Sequence, residues 1–281
     1  MTLPDRRFRP VWGGVAHDSL RGQVEGVRFT AGHRYRIATP LADLCAAPGG
    51  ALDRQLLTGA PFRALVWQGA AVFGFHEHDG YCGWVTARAL GPDGDWTHWL
   101  PVPASHFYPA PDIKSPPRMP LYMGARLRVT GQDGALARTP GGWVPIAHLA
   151  ARTHRNADPV IVARRLLGAP YLWGGNSWAG IDCSGLVQAA FLACGLDCPA
   201  DSDLQRVMPG TAVAAGDERP GDLAFWPGHV ALVSGLDSVI HANAHHMAVV
   251  EEPLSKAALR IRSAGGPAPS ILRPASFATE A

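Results

Sequence analysis

Three residues in the last third of the chain have the types and positions needed for nucleophilic catalysis: Cys183, His229 and His241. A thiolate is a strong nucleophile, but a thiol near its reference pKa of about 8.5 is mostly protonated at neutral pH. Cys183 follows Asp182 at the start of a predicted helix, where free backbone N–H groups and the helix dipole favour an anion. By position alone, the alternative for Cys183 is an inert buried cysteine, as we predict for Cys194.

The two histidines lie on two predicted strands that are joined by Gly235-Leu236-Asp237. A three-residue turn would place His229 opposite Asn243 and make His241 its diagonal neighbour on the same face, about 7–8 Å away between Cβ atoms. One histidine could then orient the other, which is the general arrangement of a catalytic triad. A two-residue turn would place the histidines on opposite faces and contradict this interpretation.

Helices precede strands in the segment that contains these residues. Asp158-Pro159 has the N-cap and first-turn proline of a helix that can end at Gly168, and a second helix is predicted from Asp182 to about Cys194. Four strands should follow as an antiparallel meander, which gives an α+β domain. The predicted strands are 222–226, 229–234, 238–243 and 247–251.

Short strands separated by turn residues dominate the N-terminal half, which favours small all-β barrels. Gly83-Trp84-Val85 and Gly142-Trp143-Val144 recur in two such segments and indicate an internal duplication. The repeated unit resembles bacterial SH3-type domains. The predicted organisation is an N-terminal arm (1–36), a first SH3-like barrel (37–100), a second SH3-like barrel (101–152) and the α+β domain (153–281).

Composition excludes several classes of function. A formal net charge of +2 gives no electrostatic footprint for nucleic acid, and no apolar run approaches the roughly 18 residues of a membrane span. Five cysteines without a small-domain disulfide framework, and a start without a secretory pattern, lead us to expect a cytoplasmic protein. Cys194 and Cys198 lack a second pair at zinc-binding spacing, so no metal is expected.

Four short sequence motifs, which we call blocks, occur in a fixed order. Because of these blocks, the domain is identified as a member of the NlpC-type cell-wall peptidase family. The resemblance covers about residues 155 to 255 and implies a papain-like cysteine peptidase domain. The blocks are Pro170-Tyr171-Leu172-Trp173-Gly174-Gly175, Asp182-Cys183-Ser184-Gly185, Gly228-His229-Val230-Ala231 and Ile240-His241-Ala242.

The resemblance implies roles for individual residues. Cys183 would attack an amide carbonyl and its backbone N–H would help to hold the oxyanion. His229 would carry the proton, and His241 would orient His229. Tyr171 would border the site with its hydroxyl, and no cofactor would be needed.

Relatives that combine this domain with SH3-type barrels cleave the γ-D-glutamyl bond to diaminopimelate or lysine in peptidoglycan stem peptides that have a free N-terminal L-alanine. By resemblance, Asp182, Ser184 and Ser202 match positions that bind the ends of such a peptide. In such relatives the first barrel contributes a tyrosine to the pocket that binds the substrate's amino group, and Tyr81 is the candidate for that tyrosine.

The expected function is therefore muropeptide recycling by a cytoplasmic peptidase, with L-Ala-γ-D-Glu-diamino acid peptides as substrates. An exported cell-wall lysin or an amidase of the same fold is the alternative within the same class. A protein whose barrels bind the wall while the third domain is inactive is the alternative from another class.

Overall fold

The computed structural model describes residues 5–277 of the chain. These residues form two compact units, with the division between Arg152 and Thr153. None of the helices within the described residues is long and apolar enough to cross a membrane.

A seven-stranded antiparallel sheet dominates the first part of the first unit, in the order β10-β4-β7-β8-β9-β5-β6. Its inner face packs the aromatic side chains of Phe73 and Trp84, which are almost fully buried. The strands of this part are β1 (Val11–Trp12), β2 (Val15–His17), β3 (Arg28–Thr30), β4 (His33–Ile37), β5 (Leu41–Cys45), β6 (Leu52–Leu57), β7 (Pro61–Gln68), β8 (Ala71–His76), β9 (Cys82–Thr86) and β10 (Leu90–Pro92).

In the described part of residues 1–36, the structure has short strands where the sequence predicts an N-terminal arm or a piece that precedes the first domain. Strands β1, β2 and β3 form a three-stranded sheet, and the Trp12 ring lies 5.8 Å from Phe73 and 5.2 Å from Trp84 between centroids. The aromatic contacts attach this segment to the first sheet. The sequence of this segment has no regular hydrophobic pattern that would predict the three strands. Its apolar side chains are scattered among turns and pack against residues distant in the chain.

The second part of the first unit has its own apolar core, which contains Phe107, Leu121 and Val144. The strands pair as small antiparallel sheets, one of them the meander β15-β16-β17. A second barrel for 101–152 stays a prediction. The strands are β11 (His98–Trp99), β12 (Ala104–Phe107), β13 (Met119–Tyr122), β14 (Arg126–Leu127), β15 (Gly131–Asp133), β16 (Leu136–Thr139), β17 (Gly142–Pro145) and β18 (Ala150–Ala151).

The second unit is an α+β domain whose six-stranded sheet has the order β21-β26-β22-β23-β24-β25. The helices are α1 (Pro159–Arg164), α2 (Cys183–Ala193), α3 (Ser202–Gln205) and α4 (Leu254–Ser263). The strands are β19 (Asn176–Ser177), β20 (Gly180–Ile181), β21 (Gly210–Val213), β22 (Leu223–Trp226), β23 (His229–Gly235), β24 (Ser238–Asn243), β25 (Ala248–Glu252) and β26 (Ser270–Pro274).

Helices α1 and α2 begin where the sequence predicts. The Asp158 carboxylate accepts the Val160 N–H at 2.7 Å, and α2 begins directly after Asp182. Helix α1 ends at Arg164 rather than at Gly168, because the chain turns there and the Gly168 N–H bonds to the Val249 carbonyl of β25 at 2.9 Å. Pairing with the sheet thus replaces the last predicted turn of the helix.

Helix α4 is absent from the sequence-based prediction. It follows Pro253, which provides no side-chain cap, so the usual start signal is missing. Leu254, Ala257 and Ile261 of α4 pack against the sheet around Val233 and Val239. Helix α2 packs against β23 and β24 as well.

Replacing the core side chain of α2 should destabilise the second unit. Phe191 is fully buried, so Phe191→Ala should cost about 3–5 kcal/mol through lost burial and a cavity. The control is Leu259→Ala on α4, where the side chain is 55% exposed and the expected cost is about 0.5 kcal/mol or less. Urea denaturation of the full chain, followed by circular dichroism, measures both. Equal costs would contradict the packing of α2.

Candidate active site

Cys183 is the first residue of α2, and the loop before it is held by Asp182. The Asp182 carboxylate accepts the N–H of Gly185 at 2.7 Å, the N–H of Gly174 at 2.9 Å and the Ser184 hydroxyl at 3.1 Å. Asp182 therefore caps α2 and clamps the Gly174 loop at the same time. Because both ends of this turn are fixed, the Cys183 side chain has a defined position at the helix N-terminus.

Gly185 is needed for the same turn. A Cβ atom there would lie 2.5 Å from the Asn176 side-chain oxygen and 2.6 Å from the Gly175 carbonyl oxygen. The first contact could be relieved by a rotation of the side chain, but the second is with backbone. Glycine thus lets the loop approach the first turn of α2 closely.

Burial has the largest effect on the pKa of the Cys183 thiol. Burial, and the negative charge of Asp182, raise its pKa to about 11, although the backbone N–H groups of Val230, Ser184 and Cys183 act in the opposite direction. The helix N-terminus therefore favours the thiolate, as the sequence predicts, but desolvation outweighs it in the free protein. The thiol needs a base at the moment of attack.

The proposed base, His229, precedes in the chain a residue whose backbone contacts this thiol. The N–H that bonds Cys183 belongs to Val230, the residue after His229, at the start of β23. The His229 ring packs against Trp226, with ring centroids 5.7 Å apart. Burial, with the nearby His241 and Arg260, lowers the pKa of His229 to about 3, so its imidazole is neutral at pH 7 and can accept a proton.

His229 and His241 are hydrogen-bonded to each other. His229 Nε2 lies 2.9 Å from His241 Nδ1, which leaves Nδ1 of His229 as the ring nitrogen that can take a proton. His241 is 1% exposed, and burial lowers its pKa despite the neighbouring Glu252 carboxylate. The pair predicted from the hairpin is therefore present.

The turn prediction behind that pair is wrong in detail. Gly235 pairs with Ser238, so the turn has two residues, yet Leu232 pairs with Ile240 and Val233 with Val239. A β-bulge at Ser234 adds one residue to β23 and restores the register that a three-residue turn would have given. The histidines therefore share one face, although a two-residue turn alone would have separated them.

Tyr171 also lies at this site. Its N–H bonds to the Met247 carbonyl at 3.0 Å, and it forms a bridge with Ile181. Burial raises the pKa of its hydroxyl to about 12, and the negative forms of Cys183 and Asp182 add to the shift. The hydroxyl is therefore protonated at neutral pH and can donate a hydrogen bond.

The remaining predicted substrate residues are placed as follows. Ser184 is buried on α2, and Ser202 begins α3, whose Gln205 side chain donates to the Ser184 carbonyl at 3.0 Å. Tyr81 is a buried residue of the first unit, with the Arg54 guanidinium 5.4 Å from its ring centroid. Substrate contacts by Ser184, Ser202 and Tyr81 stay predictions.

Two residues behind the histidine pair carry no sequence signal that would have identified them. His241 Nε2 lies 2.9 Å from Glu252 Oε1, and Arg260 of α4 holds the same carboxylate with bonds of 2.6 and 2.9 Å. The predicted strand ended at Glu251, one residue too early. In β25 Val249 and Glu252 are buried and Glu251 is exposed, so burial does not follow a simple two-residue alternation, and the sequence Glu-Glu does not show which glutamate is buried.

The cysteine lies at the start of a helix and the two histidines lie on neighbouring strands of the sheet. This arrangement is papain-like and defines the class of the domain. Comparisons with known proteins agree. Residues 168–262 match the NlpC/P60 family, and residues 44–90 match the bacterial dipeptidyl-peptidase Sh3 domain. The second unit thus contains a segment similar to the NlpC/P60 family, and the first unit contains a segment similar to a bacterial SH3 domain. One SH3 domain is matched.

Individual relatives match over part of their length. "Dipeptidyl-peptidase 6" of Lysinibacillus sphaericus is 39% identical over 115 residues, which are 41% of this chain and 42% of that protein. "Gamma-D-glutamyl-L-lysine dipeptidyl-peptidase" of Bacillus subtilis is 38% identical over 84 residues, 27% of this chain and 28% of that protein. The aligned region thus spans less than half of these curated relatives.

A solved structure shows the same fold over most of the chain. An NlpC/P60 family protein from Bacillus cereus aligns with a TM-score of 0.69 and 22% identity, covering 79% of this chain and 94% of that one. At this identity the likeness concerns the fold alone.

Alkylation should show whether His229 acts on Cys183. Burial raises the pKa of both Cys183 and Cys194 to about 11, and Cys194 is the more exposed of the two thiols. Faster labelling of Cys183 by iodoacetamide at pH 7 would therefore report a base. We expect that preference in the wild type, and its loss in His229→Gln, when each site is quantified by peptide mass spectrometry.

The matched control is His245→Gln, a change of an exposed histidine in the turn after β24. It should leave the preference for Cys183 intact. Equal and slow labelling of both cysteines in the wild type would instead favour a non-catalytic domain.

Proposed function

We propose that the protein is a cysteine peptidase that hydrolyses the γ-D-glutamyl bond to diaminopimelate or lysine in peptidoglycan stem peptides. The substrate would carry a free N-terminal L-alanine, and the reaction would serve muropeptide recycling in the cytoplasm. The observation that carries the proposal is Cys183 at a helix N-terminus, next to a strand whose His229 is hydrogen-bonded to His241 at 2.9 Å, within an NlpC/P60 domain.

The first chemical step forms a thioester. Nδ1 of His229 removes the Cys183 proton as the sulfur attacks the γ-carbonyl carbon of D-glutamate, and the carbonyl becomes an oxyanion. The Cys183 backbone N–H lies at the unpaired start of α2 and can donate to that oxygen. The oxyanion collapses, the C–N bond breaks, and His229 returns the proton to the leaving amine of the diamino acid.

The second step releases the acid. Water enters where the amine has left, His229 removes one of its protons, and the resulting hydroxide attacks the thioester carbon. The C–S bond then breaks, and the sulfur recovers the proton from His229. Thiol, base and N–H donors complete the cycle, so the mechanism needs no cofactor.

Asp182 supports the preference for a free amine. Burial raises the pKa of its carboxyl group, although Gly185, Gly174 and Ser184 donate to it. Among residues 5–277, no lysine or arginine forms a salt bridge with Asp182. A partly buried carboxylate without a cationic partner would be stabilised by the ammonium group of the substrate, whereas an acylated substrate would leave it unpaired. The name of the B. subtilis relative agrees with this bond specificity.

The two alternatives remain distinct in experiment. An exported lysin or an amidase of the same fold would act on the intact wall, and cell fractionation separates it from a cytoplasmic peptidase. A wall-binding protein with an inactive third domain would have no need for the intact Cys183, His229 and His241.

Acylation of the substrate amine should abolish efficient cleavage. We expect L-Ala-γ-D-Glu-diaminopimelate to be cleaved with a kcat/KM on the order of 100-fold or more above that of its N-acetylated form, because the latter leaves the partly buried Asp182 carboxylate unpaired. Asp182→Asn retains an oxygen for the Gly185 N–H and should reduce this ratio. Liquid chromatography with mass spectrometry measures both products. Equal cleavage of the two peptides by the wild type would remove the role of Asp182.

Activity should persist in mildly acidic solution. The base must be unprotonated to act, and burial lowers the pKa of His229 to about 3, so it remains unprotonated as the pH falls from 7 to 5. The acid limb of kcat/KM should therefore lie below the ordinary histidine value of about 6.5. A pH–rate profile with the free-amine peptide measures it. An acid midpoint near the ordinary histidine value would contradict the lowered pKa of His229.

A further inference from the structure

A line of four side chains crosses the sheet of the second unit, from β23 through β24 to the edge strand β25 and then to α4. His229 Nε2 is 2.9 Å from His241 Nδ1, and His241 Nε2 is 2.9 Å from Glu252 Oε1. Arg260 of α4 closes the line with two bonds to the Glu252 carboxylate, at 2.6 and 2.9 Å. Each member contacts the next, so a change at one end can reach the other.

The strand register makes this line possible. In β24 and β25, His241 pairs with Val250 and Val239 pairs with Glu252. Because side chains alternate between faces, Glu252 is the diagonal neighbour of His241 on the same face. Glu251 points to the opposite face, where it forms an ion pair with Arg164 of α1. Adjacent glutamates of one strand thus have separate surroundings.

The Glu252 carboxyl group is ionised in the folded protein at neutral pH. Its side chain is 7% exposed, and burial by itself would raise the pKa of its carboxyl group. Hydrogen bonds from Arg260 and His241 and the Arg260 charge reverse that effect and lower the pKa to about 2. An ionised carboxylate only accepts hydrogen bonds.

That property fixes the protons along the line. Since Glu252 only accepts, His241 must carry its proton on Nε2, and neutral His241 then has a lone pair on Nδ1. That lone pair accepts the proton on Nε2 of His229. Nδ1 of His229 is left without a proton, which is the state that a base for Cys183 requires. The opposite tautomer of His241 would place a proton on Nδ1 of His229 and block it.

We propose that Glu252, held by Arg260, is a positioning residue that acts through His241 to keep His229 in the tautomer that can deprotonate Cys183. The inference rests on the proposed peptidase function and deepens it. It extends the line of contacts behind the thiol from two histidines to a carboxylate and an arginine. It also assigns α4, which carries Arg260, to the support of the site.

If Glu252 and Arg260 only linked β25 to α4, the contacts would be the same. The test therefore needs a measurement that would not change if the role of Glu252 were purely structural. Glu252→Gln keeps the shape but can present either an oxygen or an NH₂ group to His241. The variant therefore no longer requires a proton on Nε2. The control is Glu251→Gln, the same change one residue earlier on the opposite face.

We expect kcat for the free-amine stem peptide to fall about 10- to 100-fold in Glu252→Gln, by analogy with the loss of hydrogen-bond partners that orient metal-bound histidines. KM should stay close to that of the wild type, since Glu252 does not touch the substrate. Nitrogen-15 NMR of labelled histidines should show the Nε2–H form of His241 in the wild type and a mixture in Glu252→Gln. Glu251→Gln should match the wild type in all three readouts.

An unchanged kcat in Glu252→Gln would overturn the proposal, and so would a reduced kcat with His241 still entirely in its Nε2–H form. An equal loss in Glu251→Gln would overturn it as well. Should Glu252→Gln fail to fold, Arg260→Met replaces it, because loss of the guanidinium frees the carboxylate to leave His241. An unchanged kcat and tautomer in folded Arg260→Met would then overturn the proposal.

The two hypotheses fail differently. A wild type that does not cleave the stem peptide refutes the proposed function, whereas the histidine tautomers and the alkylation rate of Cys183 still report on Glu252. Cleavage by the wild type, with Glu252→Gln equal to it in kcat, refutes the positioning role alone.

Discussion

The hydrogen bond between the rings of His229 and His241 is the constraint on which the catalytic arrangement depends. Two imidazoles on neighbouring strands meet at 2.9 Å only if both lie on one face of the sheet. A register shift of one residue would move one of them to the other face. The β-bulge at Ser234 compensates for the two-residue turn, so a local irregularity of the backbone sets the geometry of the site.

Burial gives the same site its chemical character. It raises the pKa of Cys183 to about 11 and lowers that of His229 to about 3, so both groups are uncharged before substrate binds. Transfer of the proton must then accompany attack on the carbonyl carbon. Electrostatic interactions are stronger in a site from which water is largely excluded than in water. The helix N-terminus and the Glu252 carboxylate therefore have a larger effect on the energy of the charges that form.

Asp182 illustrates how one carboxylate can serve both fold and recognition. Two backbone N–H groups and a hydroxyl bind it, so it starts α2 and fixes the preceding loop. The same carboxylate is partly buried and forms no salt bridge with a cationic side chain of the described residues, which suits an ammonium group of the substrate. Structural and proposed substrate roles therefore rest on the same atoms, and substitution of Asp182 tests both at once.

Much of this protein could be read from local signals. The N-cap of α2, the alternation of short strands and the four ordered motifs indicated the α+β domain, its position after residue 152, and Cys183, His229 and His241 at the site. What could not be read depends on contacts between distant residues. Helix α4 has no cap signal, Trp12 packs on a sheet formed much later in the chain, and Glu252 differs from Glu251 only in the face it occupies.

The sequence by itself therefore determined which residues are candidates for the chemistry, because sequence motifs, helix caps and hydrophobic periods depend on residues that are close together along the chain. Only the tertiary structure decided the protonation of the thiol, the register of the hairpin and the carboxylate behind His241. Desolvation and strand pairing depend on what packs against a residue, and that is settled when the whole domain has folded.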